Sequence, residues 1–129
     1  MVKIKELQKE AEDLKNYLER KFRLNPIEIK VKNINCGRAI YSSRFISIPL
    51  WAYDRGINYF YWYVIHEVTH FIANESYNAN CKHDNRFKRI ETENLKDFGL
   101  IPIYARAYVK ELLSNNGEVL YSRKAYSND

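Results

Sequence analysis

The stretch that decides the fold is residues 57–73, INYFYWYVIHEVTHFIA, in which most positions are apolar or aromatic. A helix that is apolar on nearly every face must be covered on all sides, so this stretch predicts the central helix of the protein. Its middle nevertheless carries His66, Glu67 and His70. Because burying an unpaired polar group costs about 1–3 kcal/mol, these polar residues indicate a functional site within the core.

Length and composition restrict the class of protein. A chain of 129 residues with 46% hydrophobic and 29% charged residues predicts a single domain over residues 1–129 and excludes wholesale disorder. The presence of only 2 cysteines excludes a disulfide framework and a four-cysteine zinc ribbon. The net charge of +5 permits weak association with nucleic acid through a basic surface but does not require it.

The sequence lacks the signals of secreted and membrane proteins. No stretch approaches the roughly 20 apolar residues of a membrane span, and the first residues, MVKIKE, have no apolar run behind their lysines. We therefore expect a cytoplasmic protein without membrane association, in which Cys36 and Cys81 are free thiols.

The residues before the central helix predict one helix and a small sheet. Residues 2–23 carry apolar side chains at spacings of three and four, which predicts an amphipathic helix that ends before Asn25-Pro26. Residues 27–31 alternate as IEIKV, the pattern of a strand with one buried face, and residues 38–41 and 45–48 are further short strands. The sequence thus predicts an α+β fold, with an N-terminal helix and a three-stranded sheet packed on the central helix.

The residues after the central helix predict a polar loop and a second helix. The loop covers residues 74–82, Asp84 is placed to cap the next helix, and Gly99 falls where a left-handed C-terminal cap is expected. The last segment is ambiguous, because residues 102–113 fit a helix but Asn115-Asn116-Gly117 is also typical of a hairpin turn. We favour a helix followed by a short strand.

All 3 histidines of the chain lie within one short window. Two of them belong to His66-Glu67-Val68-Thr69-His70, an HEXXH motif. Residues four apart share a face of a helix, so both imidazoles can reach one zinc ion at about 2.0–2.1 Å. Glu67 follows His66 directly and is placed to take a proton from a metal-bound water.

A catalytic zinc site usually has three protein ligands and an open position. His83 is the first candidate for the third ligand, because the polar loop before it lets the chain turn back after the helix. A carboxylate from the next helix, Glu91 or Glu93, is the alternative and would complete a site of two histidines and one glutamate. Cys81 is a weaker candidate, because a thiolate would reduce the Lewis acidity that hydrolysis needs.

This set of ligands predicts hydrolysis with one catalytic Zn²⁺. Neutral imidazoles leave the ion strongly Lewis acidic, so that it can lower the pKa of its bound water toward about 7. Glu67 then accepts the proton as water attacks a carbonyl, and returns it to the leaving amine. We expect Glu67 to be catalytic and His66, His70 and His83 to bind the metal.

Other residues carry weaker signals. A tyrosine could donate its phenol to the developing oxyanion, although with 11 tyrosines in the chain a packing role is the more economical reading for any one of them. Basic side chains flank the proposed site and could attract a nucleic-acid phosphate, but a solvated helix face is the better explanation. The tyrosine candidates are Tyr77, Tyr104 and Tyr108, and the basic residues are Lys82, Arg86, Lys88 and Arg89.

Several motifs together resemble the SprT-like zinc metallopeptidases. The HEXXH motif is followed by KHDNRFKRI over residues 82–90, where Phe87 lies four residues after His83, and then by Phe98-Gly99-Leu100. The upstream runs GRA at residues 37–39 and FISIP at residues 45–49 are similar to the two strands before the active helix in that family. The resemblance covers roughly residues 37–100.

The resemblance implies a small α+β core of the gluzincin type. It implies zinc ligands at His66, His70 and His83, a general base at Glu67 and a packing role for Phe87 behind the third ligand. It also implies that residues 45–48 form an edge strand beside which an extended substrate lies. Several members of the family cleave proteins bound or crosslinked to DNA, often with a four-cysteine zinc ribbon that this sequence cannot build.

The sequence therefore predicts a single-domain zinc metallopeptidase that cleaves protein or peptide substrates, with DNA-associated proteins as a possible class. A non-catalytic, zinc-stabilised binding module in DNA–protein transactions is the alternative. It predicts bound metal without turnover. A metal-free structural domain and a zinc hydrolase acting on a different bond are two further hypotheses.

Overall fold

The computed structural model of the protein describes residues 4–77 and 85–100. In chain order the elements are helix α1 (Ile4–Phe22), strands β1 (Glu28–Lys32), β2 (Arg38–Ile40) and β3 (Phe45–Pro49), a 3-10 helix (Leu50–Arg55), and helices α2 (Ile57–Tyr77) and α3 (Asn85–Asp97). This arrangement confirms the α+β class, the N-terminal helix and the three-stranded sheet. The cap at Asp84 and the predictions for residues 102–121 lie outside the described residues.

Helix α1 forms because its apolar residues recur on one stripe, and that stripe is buried against the sheet and α2. Leu7, Ala11 and Leu18 are at most 1% exposed. The helix ends at Phe22, and Arg23 then adopts a left-handed backbone with φ of 54°. Asn25-Pro26 follows, as the sequence predicts, and the chain enters the sheet.

The sheet has the strand order β1-β3-β2, with β1 parallel and β2 antiparallel to β3. Strand β3 is therefore the central strand, and the expectation that residues 45–48 form an edge strand is wrong. The physical reason is strand pairing: β1 hydrogen-bonds one edge of β3 and β2 hydrogen-bonds the other, so both edges of β3 are occupied.

The two edges of the sheet differ. Gln8 on α1 donates from its side-chain nitrogen to the Ile29 carbonyl at 2.7 Å and accepts from the Val31 N–H at 2.7 Å. These two hydrogen bonds satisfy the outer backbone groups of β1, so α1 blocks that edge. Strand β2 forms the opposite edge of the sheet, and it contacts α2.

Helix α2 is the central helix that its composition predicts. Most of its side chains from Tyr59 to Ala73 are buried, and they meet α1, the sheet, the 3-10 helix and α3. Thr69 satisfies its hydroxyl by donating to the Ile65 carbonyl at 2.6 Å. No helix in the described ranges is long and apolar enough to cross a membrane.

Helix α3 packs along α2 and ends as predicted. Gly99 has φ of 70°, and the Leu100 N–H donates to the Leu95 carbonyl at 2.7 Å, which closes the last turn in the manner of a Schellman motif. The 3-10 helix between β3 and α2 has no counterpart in the predictions from sequence. It begins directly after Pro49, which ends β3.

Candidate metal centre

Helix α2 brings His66 and His70 side by side, as their spacing predicts. The centroids of the two rings lie 5.2 Å apart, with the ring planes nearly perpendicular. Phe87 of α3 packs against both rings, with centroid distances of 5.2 Å to His66 and 4.6 Å to His70. Since His66 is buried and His70 is half-buried, His70 lies nearer to solvent.

Glu91 of α3 makes the strongest polar contact with this pair. Its Oε2 lies 2.6 Å from His66 Nδ1, and both side chains are buried. The contact orients the His66 ring and engages Nδ1, so that a metal on this imidazole would be held through Nε2. A carboxylate on the second nitrogen of a metal-binding histidine is a recurrent feature of zinc proteins.

Burial governs the protonation of this pair. It lowers the pKa of His66 to about 3, so the imidazole is neutral at physiological pH, the form that binds metals. Burial also raises the pKa of Glu91 well above its usual value, although a hydrogen bond from Trp62 and the charge of Lys88 oppose the rise. Both directions have the same cause: burial disfavours the charged form of each group.

Two further aromatic residues lie close to the histidines. Trp62 lies one turn before His66 on α2, with ring centroids 5.0 Å apart. Tyr41 follows strand β2, and its hydroxyl lies 3.5 Å from His70 Nδ1. Thus Nδ1 of each histidine lies near a polar side chain from another element, at 2.6 Å for His66 and 3.5 Å for His70.

Glu67 lies on the side of α2 that meets the sheet. It is only 6% exposed, and its carboxylate is close enough to Tyr63 to raise the pKa of that phenol, a rise caused mainly by burial. The Tyr63 hydroxyl accepts a hydrogen bond from the Gly37 N–H at 2.9 Å. Glu67 is therefore a buried carboxylate near Tyr63, whose hydroxyl connects α2 to Gly37.

The predicted third ligand, His83, lies outside the described residues. Within residues 4–77 and 85–100, no group of three or more His, Cys, Asp or Glu side chains is arranged to hold a metal ion. Of the two alternatives, Glu93 is exposed on α3, and Glu91 contacts His66 at Nδ1. The described part of the chain therefore supplies two histidines and an orienting carboxylate.

Of the remaining cysteine, basic and tyrosine residues that the sequence singles out, some lie within the described residues and some lie outside them. Cys36 is a free, exposed thiol. Arg89 is exposed on α3, while Arg86 and Lys88 are half-buried. The remaining candidates are Cys81, Lys82, Tyr104, Tyr108 and the side chain of Tyr77, all outside the described structure.

Three contacts around the histidines were missing from the predictions. Glu91 appears in the sequence only as a candidate ligand, yet it is four residues after Phe87 and four before Leu95, and therefore on the buried face of α3. Trp62 precedes His66 by one turn, which is a detectable signal. The approach of Tyr41 depends on tertiary packing and has no signal in the sequence.

Comparisons with known proteins add no family assignment. No protein-family model, curated protein or solved structure matches the chain.

Proposed function

We propose that the protein is a zinc-dependent metallopeptidase. The observation that carries the proposal is the pair of imidazoles, His66 and His70, placed side by side with Glu91 and Tyr41 beside their Nδ1 atoms. With Nδ1 of each ring beside a polar side chain, a zinc ion would be held through Nε2 of both rings. The resemblance of the motifs to SprT-like metallopeptidases supports the same function.

We assign the third zinc ligand to His83. Glu91 is the less suitable choice, because its carboxylate orients His66 and a second role as ligand would break that contact. Glu93 is exposed on α3. His83 follows α2 by six residues and precedes α3 by two, so it belongs to the segment that connects the two helices carrying the site.

In the proposed hydrolysis, the metal and Glu67 have separate roles. Bound zinc would polarise the substrate carbonyl and acidify the attacking water. Glu67 accepts a proton from that water and returns it to the leaving nitrogen, a role that its position beside His66 permits. Burial at 6% exposure keeps the Glu67 carboxylate away from bulk solvent and strengthens its interactions with nearby dipoles.

An edge strand beside the histidines provides a place for the substrate. Gln8 covers the outer edge of β1, whereas β2 leads directly into Tyr41, which reaches His70. An extended peptide that pairs with β2 would pass beside the histidine pair. The substrate strand is thus reassigned from residues 45–48 to β2. The resemblance and the net charge of +5 extend the proposed substrates to DNA-associated proteins.

A non-catalytic zinc-binding module is the second candidate. The observation that favours it is the low exposure of His66 and Glu67, both at 6%, because a substrate must reach the attacking water. This candidate predicts stoichiometric zinc and no turnover on any protein. The proposed peptidase requires the same metal and measurable hydrolysis.

One experiment separates the two candidates. The full chain is loaded with zinc, its metal content is measured by mass spectrometry, and cleavage of an unfolded protein and of a DNA-bound protein is followed. The peptidase predicts one zinc per chain and cleavage that stops on chelation. Glu67→Gln should retain the metal and lose hydrolysis by a factor of at least about 10².

Matched variants test the ligand assignment. Glu93→Gln makes the same chemical change at an exposed position on α3 and should alter neither zinc content nor cleavage. His83→Ala should release the zinc. Full activity in Glu67→Gln would remove Glu67 from its role, and retention of zinc by His83→Ala would transfer the third ligand to another residue.

A further inference from the structure

A groove lies where α1, the start of α2 and the end of α3 meet, and no residue of the histidine site lines it. Its volume is about 340 Å³, which is within the range of small-molecule and side-chain pockets. The residues that line it are Glu10, Asp13, Leu14, Tyr17, Tyr61 and Phe98.

Aromatic rings form the walls of this groove. Tyr17 and Phe98 meet edge to face, with ring centroids 5.4 Å apart and an angle of 79° between the planes. Both are unusually exposed for contacting rings, Tyr17 at 42% and Phe98 at 39%. Tyr61 adds a third ring from α2, and Leu14 closes the floor with an apolar side chain. Three of the six residues that line the groove are therefore aromatic.

Glu10 brings a carboxylate to the same place. Its Oε2 accepts a hydrogen bond from the Tyr61 hydroxyl at 2.8 Å, which fixes the carboxylate against the aromatic wall. Among the described residues, no lysine or arginine forms an ion pair with Glu10. Within the described part of the chain Glu10 is thus a carboxylate outside every ion pair, on a protein whose net charge is +5.

The other charges around the groove are compensated. Asp13 pairs with Lys9 at 3.2 Å, and Asp97, next to Phe98, pairs with Lys21 of α1. Both pairs are substantially exposed and contribute little to stability. Of the two carboxylates that line the groove, Asp13 is therefore in an ion pair with Lys9, whereas Glu10 is in none of the ion pairs of the described residues.

We propose that this groove binds the side chain of a lysine from a partner protein. An ammonium group is attracted to aromatic faces and to a carboxylate, and the aliphatic stem of lysine can lie over Leu14 and the exposed rings. Arginine fits less well, because one oxygen of Glu10 already accepts from Tyr61 and a planar guanidinium prefers two parallel hydrogen bonds.

An NMR titration of the full chain, which follows the chemical shifts of the aromatic ring protons, tests this proposal. The probe is Nα-acetyl-lysine methylamide, and its neutral counterpart is Nα-acetyl-norleucine methylamide, which has nearly the same shape without the charge. The lysine probe should shift the ring protons of Tyr17 and Phe98 saturably, and it should bind about fivefold more tightly than the neutral probe. Glu10→Gln should abolish the difference between the two probes.

Two further variants and a third probe, n-butylammonium, test the specificity of lysine binding. Glu28→Gln removes one charge from an exposed position on β1 and should leave lysine binding unchanged. Phe98→Leu keeps an apolar side chain but removes a ring, so it should weaken the lysine probe. Equal binding of both probes, equal weakening by Glu28→Gln, or no saturable shift would overturn the proposal. An equal affinity for n-butylammonium would reassign the groove to free amines. Because the histidine site is not involved, failure here leaves the proposed peptidase untouched.

Discussion

Two interfaces of the protein bury polar side chains, but they use them differently. Between α1 and β1, Gln8 satisfies two backbone groups of the sheet edge, and Glu19 accepts from the Ile27 N–H at 2.7 Å. Between α2 and α3, His66 and Glu91 face each other instead, and both are ionisable. At the first interface the polar side chains hydrogen-bond backbone groups at the edge of the sheet. At the second interface they contact each other, and we propose that His66 also binds a metal ion.

The difference has an energetic basis. A side chain stabilises the fold when it hydrogen-bonds a buried backbone group that would otherwise have no partner, because a buried unpaired group costs about 1–3 kcal/mol. A buried ionisable pair gains little net stability, since desolvation offsets the attraction between its members. Perturbed ionisable groups concentrate at functional sites, so the α2–α3 interface is where function is expected.

The largest effect is expected where the sheet rests on α2 beside Glu67. A Cβ added to Gly37 would lie 2.4 Å from the Ser47 carbonyl oxygen and 2.7 Å from a Tyr63 ring carbon. A backbone oxygen of the central strand has little freedom to move, so Gly37→Ala should lower the free energy of unfolding by about 3 kcal/mol or more. Urea unfolding measures the change.

A second glycine provides the matched control for this change. Gly99 has open space around its Cβ position and a φ of 70°, so Gly99→Ala should cost only about 1 kcal/mol of backbone strain. Equal losses in the two variants would show that close packing of β2 against α2 is not what Gly37 provides.

The next effect tests the role of Glu91 directly. Glu91→Met replaces the buried carboxylate with an apolar side chain of similar size and removes the contact with His66. Zinc affinity should fall about 10- to 100-fold, the usual cost of losing an orienting carboxylate. The stability of the metal-free protein should stay the same or rise. A competition assay with a chelating dye and thermal unfolding without metal measure the two quantities.

Two outcomes would contradict this reading of the α2–α3 interface. Unchanged zinc affinity in Glu91→Met would show that His66 needs no orienting partner. A loss of about 3–5 kcal/mol in the metal-free protein would show that the pair is structural, as at the α1–β1 interface.

Gln8 provides the opposite test, at the α1–β1 interface. Gln8→Leu leaves the Ile29 carbonyl and the Val31 N–H without their partner, so the free energy of unfolding should fall by about 2 kcal/mol. Zinc affinity should not change, because Gln8 does not touch the histidines. A change in zinc affinity without a change in stability would reverse the proposed contrast between the interfaces.

Periodicity was enough to predict most of the described fold. The stripe of α1, the alternation of β1 and the continuous apolar run of α2 each determine a local structure, and Gly99 marks the end of α3. Periodicity could not predict the order of the strands in the sheet, because the sequence of a short strand does not specify which strands pair with it. The mistaken edge strand shows this, since the apolar residues of β3 are compatible with either position until β1 pairs with it.

The candidate site was predictable in part for a similar reason. The spacing of His66 and His70 fixes their neighbourhood through helix geometry alone. Glu91 and Tyr41 reach the same rings from distant elements, and only the packing of α3 and the sheet on α2 brings them there. Helical spacing from Phe87 and Leu95 puts Glu91 on the buried face, a signal that the predictions from sequence did not use, and only the structure shows that Glu91 contacts Nδ1 of His66.

The smallest expected effect is that of Asn94, a buried residue of α3. Its substitution tests whether a polar side chain at the α2–α3 interface lowers the free energy of unfolding. Asn94 is 1% exposed, and within residues 4–77 and 85–100 neither its Oδ1 nor its Nδ2 has a hydrogen-bond partner. Asn94→Leu keeps the branched shape and removes both polar atoms, so the free energy of unfolding should rise by about 1 kcal/mol. The exposed Asn33→Leu serves as the control and should bring no gain. If Asn94→Leu instead destabilises the protein while Asn33→Leu does not, the buried amide has a structural partner, and the α2–α3 interface is built like the α1–β1 interface after all.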